Sequence, residues 1–142
     1  MIDNKSSKNG YKDFEVNIKV KLAMLWTSVT LCYLYGDYFE LYVPDKIDGL
    51  ISGNNLLNSP MKLFGASIML AIPALMVFLS LILKPNINRI LNIVFGLFFT
   101  LIMLLIASVQ RNEWYTFYVF LAIIESISTA LIVWYAIKWP KE

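Results

Sequence analysis

Four apolar stretches, 21–38, 62–83, 88–108 and 114–137, fill most of the 142 residues of this chain. Most are long enough to cross a hydrocarbon core about 30 Å thick at about 1.5 Å per residue. That length predicts an integral membrane protein, with the lipid bilayer as its first partner. The expected fold is all-α: an antiparallel bundle of four transmembrane helices, one unit over 1–142, with no separate soluble domain. Hydrophobic residues make up 58% of the chain and charged residues 15%, against about 25% charge in a soluble domain. The net charge of +2 mostly reflects lysines flanking the apolar stretches, so no nucleic-acid footprint is indicated.

The polar opening segment carries Lys5, Lys8, Lys12, Lys19 and Lys21 and runs straight into the first stretch. Bulky Tyr33, Leu34 and Tyr35 follow where a cleavage site would need small residues, so the first span is expected to stay uncleaved. There is no histidine, which removes bis-histidine haem ligation and histidine metal sites; no cofactor and no metal are expected. The single Cys32 cannot form an intrachain disulfide and excludes CxxC chemistry. It is expected to pack as a small apolar residue.

Nine of the twelve lysines and arginines lie in the opening segment, the 84–89 turn and the closing tail. Lys46, Lys62 and Arg111 are left for the other two loops. The positive-inside rule then places both termini and the middle turn in the cytoplasm. Trp26, Trp114, Trp134 and Trp139 suit interfacial aromatic belts. Lys84-Pro85-Asn86 reads as a short breaker between spans two and three. The outer loop, 43–59, mixes Pro44, Gly49 and Gly53 with Ile47, Leu50, Ile51, Leu56 and Leu57. That pattern predicts a short amphipathic element on the membrane or over the bundle mouth. Ser59-Pro60 reads as the cap and first residue of span two.

Glu125, near the middle of the last stretch, is the residue that most needs a role, because an ionisable group at that depth is costly. A ruler of about 1.5 Å per residue puts Glu125 roughly 20 Å above Lys138, and Tyr33 and Asp37 roughly 18 and 24 Å above Lys21. Trp26, Thr30, Tyr33, Asp37 and Glu40 recur at spacings of four and three, so they share a face predicted to point inward. Tyr118, Ala122, Glu125 and Thr129 share a face of span four by the same spacing. Pro73 should bend span two and free the carbonyl of Met69 to accept a proton from Glu125. Gly65 and Ala66, with Ser126 and Ala130, should permit close helix approach. The candidate ligand or proton-coupling residues are therefore Glu125, Asp37, Tyr33, Glu40 and Thr129, with Pro73 as a helix bend. Asn92 reads as a helix cap or bridge.

Tyr33-Leu34-Tyr35-Gly36-Asp37, Ile72-Pro73, Asn88-Arg89 with Asn92, Ile124-Glu125 and the closing run Val133 to Pro140 resemble an uncharacterised DUF-type family of small bacterial four-span membrane proteins. The tail string is the most specific of these, and the resemblance covers 22–140. It implies the fold and a bacterial cytoplasmic membrane, with no established activity. The family pattern often has an acidic residue before Ile-Pro; here that position is Ala71. A carboxylate pair between spans two and four is then absent from this member.

Two functional classes follow from the residues. The first is binding or transport of a lipophilic or cationic small molecule, or of a lipid, at a polar pocket between the spans. Four spans enclose no wide pore, so transport calls for a homo-oligomer. The alternative is an accessory or structural subunit that docks its polar face on another membrane protein. An enzyme is disfavoured, since no nucleophile–base pair is present.

Overall fold

The structure, a computed structural model, describes residues 14–140. Lys5, Lys8, Lys12 and Lys141, which weigh in the charge asymmetry, lie outside the described residues. Five α-helices follow in order: α1 Ile18–Glu40, α2 Lys46–Ser52, α3 Pro60–Ile82, α4 Pro85–Val109 and α5 Thr116–Ile137, with one 3-10 turn at Glu113–Tyr115 before α5. There is no strand among the described residues.

The helix starts follow from local chemistry. Asn17 caps α1 by accepting the Lys19 N–H at 2.9 Å, and Ser59 caps α3 by accepting the Lys62 N–H at 3.3 Å. Pro60 occupies the first turn of α3 as expected. The expected break falls at Leu83 and Lys84, with Pro85 and Asn86 already inside α4. Pro85 opens α4, because a missing N–H costs nothing at the first helical position. The link between α3 and α4 is thereby reduced to Leu83 and Lys84.

Three segments, α3, α4 and Glu113–Ile137, are long and apolar enough to cross a membrane. The 23 residues of α1 match α3 in length. Its hydroxyl-bearing residues and Asp37 make it less apolar.

The longest interface joins α4 to α5. The α5 helix also packs on α1, and α1 on α3, whereas α3 and α4 touch little. Gly96 explains the closeness of α4 and α5: a Cβ there would meet Val133 Cγ2 at 2.7 Å and the Thr129 carbonyl at 3.3 Å. The expected small-residue contact at Gly65 does not form, since open space surrounds that position. Ser126 is buried and Ala130 is exposed.

The inward face of α1 is also shifted from the expected stripe. Leu22, Trp26, Val29 and Gly36 are buried, with Tyr33 and Glu40 half-buried on the same line. Thr30 lies half-buried and Asp37 is exposed. The apolar side chains of Leu22 and Val29 take the core places, since burial favours them over a carboxylate.

Trp26 is not a belt residue. It is fully buried and its Nε1–H donates to Asn92 Oδ1 at 2.7 Å. Asn92 in turn donates to Asn88 Oδ1 at 2.7 Å, and Asn88 donates to the Ser80 carbonyl at 2.6 Å. This network ties α1, α3 and α4 together beside the α3–α4 turn. Lys19 Nζ donates to the Leu83 carbonyl at 2.7 Å and Arg89 Nε to the Ala136 carbonyl at 3.0 Å. Both cations thus satisfy carbonyls at or near the ends of neighbouring helices. Trp114 and Trp134, at 61% and 55% exposed, do sit on the surface. The molecule has two distinct ends: a terminal end, with the start of α1, the α3–α4 turn and the close of α5, and an α2 end opposite.

Candidate functional site

Glu125 sits on the α5 face that packs against α1, one turn before Thr129. Hydroxyls hold this part of α5: Ser126 Oγ donates to the Ala122 carbonyl at 2.7 Å and Thr129 Oγ1 to the Glu125 carbonyl at 2.9 Å. Such back-bonding keeps polar side chains satisfied inside an apolar helix. Across the seam, Tyr33 stands edge-on to Phe99, their ring centres 6.0 Å apart. Phe99 in turn meets Trp26 edge-on at 6.1 Å.

Glu125 is 3% exposed, and its Oε2 has no hydrogen-bond partner. The hydroxyl of Tyr33 is likewise buried without one. Both residues line a cavity of about 10 Å³ together with Gly36, Met103, Tyr118, Leu121 and Ala122. That volume is about one water-sized sphere. A buried polar atom without a partner costs free energy, and both residues that carry one line this small cavity.

The remaining candidates occupy two other places. Thr129 is fully buried with its hydroxyl tied to the Glu125 carbonyl and 2.7 Å from Thr100 Oγ1, outside the cavity lining. Asp37 lies exposed toward the α2 end. Glu40, at the far end of the expected inward stripe, is half-buried and paired with Lys46 at the start of α2. It also accepts the Tyr115 hydroxyl at 3.3 Å. The Glu40 hydrogen bond holds the Lys46 ammonium above its ordinary pKa. Pro73 is buried on α3 but does not line the cavity, and the Glu125 carboxyl makes no hydrogen bond to the Met69 carbonyl.

Tyr118 and Ala122, read from spacing alone as sharing the Glu125 face, do line the cavity. Gly36 and Met103 were not legible as site residues. Gly36 is where α1 passes α5 closely: a Cβ there would lie 3.5 Å from Tyr118 Cε2. Beyond the cavity, Phe39, Tyr42, Val43, Trp114 and Phe117 line an open, largely apolar groove of about 280 Å³ at the α2 end. No group of three metal-ligating side chains occurs among the described residues.

Neither a curated protein nor a solved structure matches the chain. A family does: residues 11–142 match the Family of unknown function (DUF6326), and the chain belongs to it.

Proposed function

We propose that this is a multi-pass protein of a bacterial cytoplasmic membrane, crossing it with α1, α3, α4 and α5 and keeping both termini in the cytoplasm. At about 1.5 Å per residue, the 23 residues of α1 reach about 34 Å, enough to cross. The lysine and arginine distribution supports the orientation. Its function is to bind or move a lipophilic cation or a lipid, with Glu125 as an exchangeable proton site.

The observation that carries this reading is the unpartnered Glu125 Oε2 facing a cavity shared with the unpartnered Tyr33 hydroxyl. A structural tie would spend those polar atoms on bonds between helices. The cavity has room for about one water, so a larger guest is received first in the aromatic groove of Phe39, Tyr42, Trp114 and Phe117. Aromatic faces attract cations, and Asp37 adds an exposed carboxylate nearby on α1. Deeper entry requires the α1–α5 seam to widen, with the Glu125 carboxylate as counter-charge once its proton has left.

Tetraphenylphosphonium is a suitable probe. Wild-type protein in detergent should bind it more tightly as pH rises and should release a proton on binding. Glu125→Gln should lose both effects. Equal binding, or equal absence of binding, at every pH in the two proteins would leave Glu125 as a helix-packing group.

A second reading, an accessory subunit or a homo-oligomer, draws on α3. Only Pro73, Met76 and Ser80 are buried on it, and Gly65 has open space beside it. Small residues on a bare helix let another helix approach closely. Cross-linking through Gly65→Cys in a Cys32→Ser background tests that contact.

A further inference from the structure

We propose that protons reach Glu125 from the α2 end of the molecule and not from the terminal end. This deepens the reading of Glu125 as an exchangeable proton site and rests on it. The cavity is lopsided along the helix axes. On α5 its lining runs from Glu125 back through Ala122 to Tyr118, toward the α2 end. On α1 it continues from Tyr33 to Gly36, and on α4 it includes Met103, again in the direction of the α2 end.

Beyond that lining the groups are polar. Asp37 follows Gly36 and is exposed, and Glu40 is half-buried with Lys46 and the Tyr115 hydroxyl on it. In the opposite direction the molecule is closed. Trp26, Val29, Phe99 and Ile132 are all fully buried in one apolar cluster. Thr129 and Thr100 are the hydroxyls that continue from Glu125 on this side, and they lead nowhere. The two hydroxyls lie 2.7 Å apart, and each reaches a carbonyl of its own helix, Gly96 at 2.7 Å for Thr100 and Glu125 at 2.9 Å for Thr129, so the chain ends on backbone acceptors. The inner network of Trp26, Asn92 and Asn88 has its donors spent on each other and on Ser80.

The titratable groups around Glu125 are then Cys32, Tyr33, Asp37 and Glu40 from α1 and Tyr118 from α5, with Tyr115 and Lys46 at the mouth. From α4 come Met103 and Thr100, neither of which titrates. The step is a proton exchange. The O–H bond of the Glu125 carboxyl breaks, one water in the cavity takes that proton, and the water passes one of its own toward Asp37 and the bulk at the α2 end. Glu125 is left as the carboxylate, and no electron is transferred.

The test is labelling of Glu125 by dicyclohexylcarbodiimide, which modifies protonated carboxyls in apolar surroundings, read by mass spectrometry of its peptide. Sealed vesicles of a single orientation are used, with the terminal side identified by protease removal of a C-terminal tag. The pH is varied on one side and buffered on the other, then the reverse. Labelling should fall about tenfold per pH unit on the alkaline limb when the α2 side is titrated, and should stay constant when the terminal side is. Gly36→Ala adds a methyl in ordinary contact with Tyr118 and Leu121. It should slow the response to a pH jump several-fold while the helices stay packed. Labelling that follows the terminal side, or both sides equally, would overturn the access route and leave the proton site standing. Labelling indifferent to pH on either side would overturn both.

Discussion

At the scale of single residues, two contacts decide how closely the helices meet. Gly96 lies where any side chain would collide with Val133 and the Thr129 carbonyl. Gly96→Ala should therefore separate α4 from α5 at a cost of about 1–3 kcal/mol, the usual range for overpacking a closed core. Unfolding in mixed detergent and sodium dodecyl sulfate measures it, and wild-type stability would show that Val133 can turn aside. Trp26 gives the second contact. Its indole is fully buried and donates to Asn92 at 2.7 Å. Trp26→Phe keeps most of the ring and removes that donor. The expected loss is about 1 kcal/mol for an interhelical hydrogen bond in a membrane protein. An unchanged unfolding curve would mean that Ser80, at 3.4 Å from Asn92 Oδ1, takes over the bond.

At the scale of elements, α2 is fastened by its first residue. None of its residues is buried, and Lys46 joins it to Glu40 at the end of α1. The Lys46 ammonium is held above its ordinary value of 10.5, chiefly because Glu40 accepts its hydrogen bond. A cation stabilised on folding contributes fully below its unfolded pKa, and the contribution disappears as pH climbs through the higher folded value. The fastening should thus hold at neutral pH and fail above pH 10.5. A spin label at Ser52→Cys, in a Cys32→Ser background, should gain mobility there; Lys46→Ala should give that mobility already at neutral pH. The pair is partly exposed, so high salt should loosen it too. A label equally mobile in wild type and variant would place the anchor of α2 elsewhere.

The elements also show which features could be read from residue order. Caps at Ser59-Pro60 and a short helix in 43–59 were legible, because both depend on neighbours in sequence. The Glu125 face with Tyr118 and Ala122 was legible too, since helical phase alone groups them. The inward stripe of α1 was read one step aside. Polar spacing points to Thr30 and Asp37 as interior, whereas Leu22, Val29 and Gly36 join the expected Trp26 there through packing on α3 and α5. The position of Trp26 near a helix end suggests the belt; its partner Asn92 lies 66 residues away, a distance over which no local pattern operates. Gly96 and Met103 depend on which helices are neighbours, and α4 lies beside α5 for reasons of three-dimensional fit.

At the scale of the whole molecule, the crossing by α1 is the point on which topology turns. If α1, α3, α4 and α5 all cross, reporters fused to the two termini must lie on the same side, and both should be active only in the cytoplasm. Reporters on opposite sides would leave α1 lying along the surface and only three helices through the bilayer. Removal of α5 provides the complementary check. It packs on both α1 and α4, whereas α3 and α4 touch little. Truncation before Thr116 should leave α4 accessible to protease while α1 and α3 remain paired.

The order of synthesis gives that arrangement a further meaning. Of the described helices, the one that bridges the others is made after them. Before α5 packs, α4 is held by the short Leu83–Lys84 link, the polar contacts beside it and the edge-on contacts of Phe99 with Trp26 and Tyr33. The α5 helix thus acts as a keystone for α1 and α4, and it brings the carboxylate of the cavity with it. The cavity beside Glu125 is lined by residues of α1, α4 and α5, so it closes only when α5 has joined the other two.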